Sequence, residues 1–115
     1  MELEIQDTDV QGWTVVTASG EIDVATAPEL RDRLTDLIEA GTTRVIVDME
    51  DVDFIDSTGL GVLVGGVRRA RGSEGGDVRL VCTNPRILKV LQATGLHEVF
   101  IIGADVDEAV SAEPR

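Results

Sequence analysis

Tyrosine is missing from this sequence, and one Trp and two Phe are its only aromatics. A packed interior must therefore be built from aliphatic side chains, which the 43% hydrophobic content supplies. That content excludes disorder as the state of the whole chain. The single cysteine, Cys82, excludes an internal disulfide. Lying in the apolar run Val78-Arg79-Leu80-Val81-Cys82, it reads as a buried structural thiol. One histidine, His97, placed after a helix stop, reads as surface or structural, and no His/Cys cluster for zinc exists. No apolar run is long enough to cross a bilayer. Met1-Glu2-Leu3-Glu4 lacks the basic and apolar regions of a signal peptide, so a cytoplasmic location is expected. Positive charge is also scarce: 10 Lys+Arg stand against 22 Asp+Glu, a net charge of -12. Such a surface repels phosphates and anionic lipid heads, which disfavours direct nucleic-acid or membrane binding.

What is present suffices for one domain over residues 1–115, a length at which a core buries about two-thirds of the unfolded surface. Leu3 and Ile5 alternate with Glu2, Glu4 and Gln6, and Trp13 to Ala18 makes a second strand across the turn Asp9-Val10-Gln11-Gly12. The short link predicts an antiparallel pair. Gly20-Glu21-Ile22-Asp23 reads as an exit loop. Thr26 to Glu29 has the form of a capping box before a helix carrying Leu30, Leu34, Leu37 and Ile38, stopped by Gly41. Arg44 to Met49 reads as a buried strand, followed by an acidic loop and a helix over Ser57 to Arg71 that Gly72 to Gly76 breaks. Val78 to Cys82 is the next strand, and Asn84-Pro85 starts a helix closed by Gly95. A last short strand, Val99 to Ile102, precedes a short acidic helix opened by Asp105, and residues 111–115 are expected to fray. The class is α/β: a mixed sheet with an N-terminal antiparallel pair, packed by about four helices.

The stretch Asp53-Phe54-Ile55-Asp56-Ser57-Thr58-Gly59-Leu60-Gly61 joins the central strand to the second helix. Leu60, Leu63, Val64 and Val67 make an inward stripe, leaving Thr58, Gly61, Val62, Gly65 and Arg69 on the outer side. That strip is smooth and weakly polar. Its glycines permit either close packing within the fold or the approach of another protein's backbone, and spacing leaves both readings open. Ser57 is a favoured residue for a helix N-cap, as is Asp56 beside it, and the residues alone favour that role. A sharper reading is a phosphoacceptor, because a phosphate there would meet free N–H groups and the positive end of the helix dipole.

Catalytic readings find less support. Ser57 lacks the Gly-x-Ser-x-Gly elbow. Gly59-Leu60-Gly61 resembles the start of a dinucleotide loop, but Val64 stands where a third glycine is needed. The carboxylates of Asp48, Asp51, Asp53 and Asp56 suggest a small phosphoryl-transfer or nucleotide-binding protein using the acidic loop Asp48–Asp56. Yet Lys89, the only lysine, falls inside a predicted helix, and a solvated loop accounts for the acids.

Gly20-Glu21-Ile22-Asp23, the helix start Ala27-Pro28-Glu29-Leu30 and Asp56-Ser57-Thr58-Gly59-Leu60-Gly61 together resemble the anti-sigma factor antagonists of the STAS domain family. Leu96-His97-Glu98-Val99-Phe100 and Asp107-Glu108-Ala109 extend the likeness over almost the whole chain. The resemblance implies a bacterial, non-enzymatic phosphoprotein without cofactor or metal, acting by partner switching in transcription regulation, stress response included. It implies that the unphosphorylated form binds an anti-sigma factor that is also a serine kinase, freeing a sigma factor. Phosphorylation of Ser57 would weaken that complex, and a serine phosphatase would restore it. The partner surface expected from the resemblance and the outward strip comprises Asp23, Asp56, Ser57, Thr58, Gly59, Gly61, Val62 and Gly65. A weak homodimer is left open.

Overall fold

The computed structural model describes residues 2–114. Strands β1 (Leu3–Val10) and β2 (Trp13–Ile22) form an antiparallel hairpin. Gln11 and Gly12 turn it, both with positive φ, the pattern whose twist suits a two-residue hairpin. Helix α1 (Ala27–Glu39) returns the chain to β3 (Arg44–Ile55), which lies parallel to β2. Helix α2 (Ser57–Arg71), β4 (Asp77–Val81), α3 (Pro85–Ala93), a 3-10 turn over Leu96–Glu98, β5 (Ile102–Gly103) and α4 (Val106–Ser111) complete it. The five strands lie in the order β1-β2-β3-β4-β5, antiparallel only at the first pair. The α/β class, the mixed sheet and the four helices are as the sequence predicts.

Several boundaries differ. The strand predicted for Arg44 to Met49 runs on to Ile55, and β2 runs on to Ile22. The acidic loop is therefore mostly strand. Beyond Asp48 it runs beside β2 alone, since β4 partners β3 only from Arg44 to Asp48. The register shifts between Thr17 and Ser19 and again between Gly20 and Glu21, which breaks the alternation that marks a strand. The expected strand over Val99 to Ile102 shrinks to Ile102–Gly103 after the 3-10 turn. The capping box is also corrected. Thr26 makes no side-chain cap bond; its hydroxyl donates to the Glu21 carbonyl at 2.7 Å and accepts from the Asp23 N–H at 2.9 Å. The helix's C-terminus follows expectation: Gly41, with φ 93°, lets its own N–H reach the Ile38 carbonyl and the Thr42 N–H reach that of Leu37.

The main core lies between the sheet and the helices α1, α2 and α3, with Leu30, Leu34, Val47, Leu63, Leu80, Leu91 and Phe100 buried in it. A smaller cluster on the other face gathers Trp13, Val15, Ile46 and Val81 under Ala109 of α4. Cys82 is buried, and burial pushes its thiol pKa up, in keeping with a structural role. Because β2, β3 and β4 are parallel, their carboxyl ends and the starts of α1, α2 and α3 share one end of the molecule, where open α/β sheets place their sites.

Candidate functional site

Asp56 links strand to helix at that end. Its N–H donates to the Ile22 carbonyl at 3.1 Å, holding the junction to the end of β2. Its carboxylate accepts from the N–H groups of Thr58 and Gly59 at 2.9 and 3.1 Å. Asp56, and not Ser57, is the N-cap. An extended Asp conformation with a carboxylate over the second and third N–H groups satisfies the helix's first donors better than a neutral hydroxyl would. The expectation that free N–H groups await a phosphate is corrected with it: two of them are already engaged.

Ser57 is released from capping. It is the first residue of α2, exposed, and its hydroxyl makes no hydrogen bond among the described residues. Thr58, likewise exposed, engages through its backbone N–H only. The two readings of the glycines divide by position. A Cβ at Gly59 would stand 2.6 Å from Ile22 Cγ2 and 2.8 Å from Ile55 Cγ1, so Gly59 faces inward and serves packing. This removes Gly59 from the predicted partner surface. Gly66 packs in the same way against Leu34. At Gly61 a Cβ would meet nothing within 4 Å, and at Gly65 only Arg69. Gly61 is exposed, Val62 and Gly65 are half-buried, and the three lie on the outward strip.

Asp23 is 7% exposed and turns its carboxylate into its own turn. That carboxylate accepts from the N–H groups of Ala25 and Thr26, at 2.9 and 3.0 Å. Burial raises its pKa, but these hydrogen bonds outweigh it and hold the carboxyl below its ordinary value. Asp23 thus shapes the β2–α1 turn beside the junction rather than presenting a free charge.

Asp48 is half-buried in β3, and burial raises its pKa against a hydrogen bond from the Glu50 N–H. Asp48, Asp51 and Asp53 are strung along a strand. Among the described residues no three His, Cys, Asp or Glu side chains converge where a metal ion could sit. Among the described residues, no helix is long and apolar enough to cross a membrane.

Sequence reasoning missed two apolar residues at this end. Val24 and Phe54, 72% and 46% exposed, are the large hydrophobic side chains left to solvent among the described residues. Phe54 pairs in register with Glu21 and stands three positions before Ser57. The signal was available: a rare aromatic directly after Asp53, in a stretch crowded with acids, does not extend an inward stripe.

Comparison with known proteins agrees with this architecture. The STAS domain model matches residues 2–109. The anti-sigma-B factor antagonist of Bacillus subtilis is 34% identical over 110 residues, covering 96% of this chain and 95% of that protein. The crystal structure of an anti-sigma factor antagonist from Mycobacterium paratuberculosis superposes with a TM-score of 0.88 at 25% identity, over 96% of this chain and 92% of that one. The Bacillus cell fate determinant SpoIIAA, solved in its phosphorylated form, gives a TM-score of 0.71 at 26% identity, over 93% and 96% of the two chains. A mixed five-stranded sheet opened by a hairpin, a helix starting at Asp56-Ser57 and a likeness running almost end to end lead to one assignment: the chain belongs to the STAS domain family.

Proposed function

We propose that this chain is an anti-sigma factor antagonist, a binding module switched by phosphorylation of Ser57. The observation that carries the reading is Ser57 itself: an exposed hydroxyl, unbonded within the described residues, on the first residue of a helix capped by its neighbour. A serine that capped the helix would lose its role on modification. This one is free to be modified while Asp56 keeps α2 in place. The relatives named as antagonists, and one solved in a phosphorylated form, support an anti-sigma factor as the class of partner. On this reading that partner is also the serine kinase, and a serine phosphatase opposes it.

Phosphate would add about -1.5 to -2 charges. A partner carboxylate about 6 Å away would be repelled by on the order of 1–3 kcal/mol at an effective dielectric of about 40–80. Each ~1.4 kcal/mol lost lowers affinity about tenfold. Within this chain the positive end of α2 offsets part of the repulsion from Asp56, so the fold tolerates what the complex does not.

Incubation with ATP, magnesium and a cognate anti-sigma kinase is expected to place phosphate on Ser57, with none in Ser57→Ala. Autonomous ATP turnover, or phosphate on an aspartate, would overturn the reading. Ser57→Asp is expected to keep the fold, since an acid in the first turn suits the dipole, and to bind the kinase more weakly than Ser57→Ala. Equal affinity of the two variants would remove the electrostatic mechanism.

A further inference from the structure

A groove of about 130 Å³ lies between the end of β3 and α3, lined by Phe54, Ile55, Ile87 and Val90, with Asp53 on one rim and Arg86 on the other. It is too small for a cofactor or substrate pocket, which runs to about 300 Å³ or more. One aliphatic or aromatic side chain would fill it. Its wall includes Phe54, kept nearly half in solvent although the core is short of aromatics. The groove is continuous with the switch, because β3 runs through Phe54 directly into the Asp56–Ser57 junction. Neither Asp53 nor Arg86 has a side-chain partner among the described residues, so each rim leaves one charge to be met from outside.

We propose that this groove is the apolar anchor of the partner interface: it receives one hydrophobic side chain of the serine kinase that acts on Ser57. The proposal rests on the functional reading above and adds a second part to the interface. The segment it fits carries an aliphatic or aromatic residue with a basic neighbour facing Asp53 and an acidic one facing Arg86. An apolar pocket ringed by polar groups is where a few residues carry most of an interface's energy. Ser57 then controls the complex by charge, while the groove supplies affinity that phosphorylation does not touch.

The test measures binding of unphosphorylated protein to the purified kinase that modifies Ser57 in the assay above. Phe54→Ala is expected to weaken binding roughly tenfold or more, the usual scale for truncating a central aromatic. Its thermal midpoint should fall only modestly, because nearly half of the side chain is already in solvent. Phe54→Leu, which keeps an apolar wall, is expected to restore most of the affinity. Phe54→Ala binding as tightly as wild type, or Phe54→Leu binding as weakly as Phe54→Ala, overturns the proposal. Loss of self-association in Phe54→Ala with kinase binding intact would assign the groove to a second copy of the chain and overturn it too. If wild type fails to bind the kinase, the functional reading falls and the groove assignment falls with it. If wild type binds and Phe54→Ala binds equally, the groove assignment falls alone.

Discussion

Gly59 and Gly61 stand two residues apart on α2 and differ in what a side chain would meet. At Gly59 a methyl would press on Ile22 and Ile55, both fixed in strands. Overpacking of that kind costs about 1–3 kcal/mol, against a helix-propensity gain of about 1 kcal/mol. Gly59→Ala is therefore expected to be neutral to clearly destabilising in urea titration, and Gly61→Ala, open to solvent, to stabilise by up to about 1 kcal/mol. Gly61→Ala more stable but weaker in partner binding would mark the position as kept small for contact. A reversed order of the two stabilities would contradict the packing described for Gly59. Two carboxylates make a second pair with opposite signs. Asp23 has its pKa lowered in the fold, so its ionised form stabilises above the ordinary carboxylate range near pH 4. That contribution is lost as pH falls through the depressed native value. Asp48 is raised, so stability falls as pH climbs from the ordinary carboxylate value to the native one, and the full cost is present above it. Asp23→Asn is expected to be destabilised and Asp48→Asn stabilised at about pH 7. The Asp48 difference should fade as pH falls to about 4, and the Asp23 difference only below it, as the wild-type carboxyls take up protons. Differences independent of pH would show that charge at neither site matters.

Helix α4 is short and acidic, and what fastens it is one buried arginine. Arg79, 4% exposed on β4, donates through Nη1 to the carbonyls of Ala109 and Ala112 at 2.8 and 2.9 Å. Its Nε lies 3.4 Å from Asp77, which also holds Arg71 at 2.9 Å. Its guanidinium sits over the Trp13 ring, 4.4 Å from the centroid, and that of Arg44 lies at 4.8 Å. A cation at a helix C-terminus also opposes the negative end of the dipole. Arg79→Ala would leave Asp77 to Arg71 alone and the Ala109 and Ala112 carbonyls without their donor, a loss of about 1–3 kcal/mol for each buried group left unsatisfied. Arg79→Lys is expected to recover little, because an ammonium cannot match the planar fork or stack on the indole. Hydrogen exchange should show Val106–Ser111 opening first; exchange unchanged there would mean that apolar contacts alone hold α4. This network could not be read from the chain. A lone arginine inside Val78 to Val81 looks like an interruption of a buried strand until β2, β4 and α4 are brought together. Helix α2, by contrast, was legible to the residue, because the Leu60–Leu63–Val67 stripe and the glycine break at Gly72 are local signals. The second half of β3 was hidden because it pairs on one side only and crosses two register shifts, so its acids read as loop. At the site, position was legible and role was not. Ser57 against Asp56 as cap is decided by which carboxylate or hydroxyl reaches the N–H groups, a matter of one residue's backbone angle.

The whole molecule carries a net charge of -12 over principal extents of 33 × 25 × 22 Å. At low ionic strength, about 0.01 M, the screening length is about 30 Å, so each carboxylate feels nearly all the others. At about 0.15 M it falls to about 8 Å, and only neighbours count. Self-repulsion on this scale opposes the compact state more than the expanded one. Among the described residues the exposed compensating pairs of arginine are Arg33 with Asp7 at 2.6 Å and Arg31 with Asp32 at 3.5 Å, beside the more buried pairs of Asp77 with Arg71 and Arg79. Exposed pairs of this kind contribute about 0–1 kcal/mol each, and salt weakens them as well. The repulsion involves many more groups than the pairs do, so its screening decides the sign. Raising NaCl from about 0.01 to 0.15 M is therefore expected to raise the thermal midpoint at neutral pH. In the variant Asp48→Asn, which lacks one of the crowded strand acids, the rise should be smaller. A midpoint that falls with salt would mean that the arginine pairs, with Asp77 between Arg71 and Arg79 foremost, outweigh the surplus of acid.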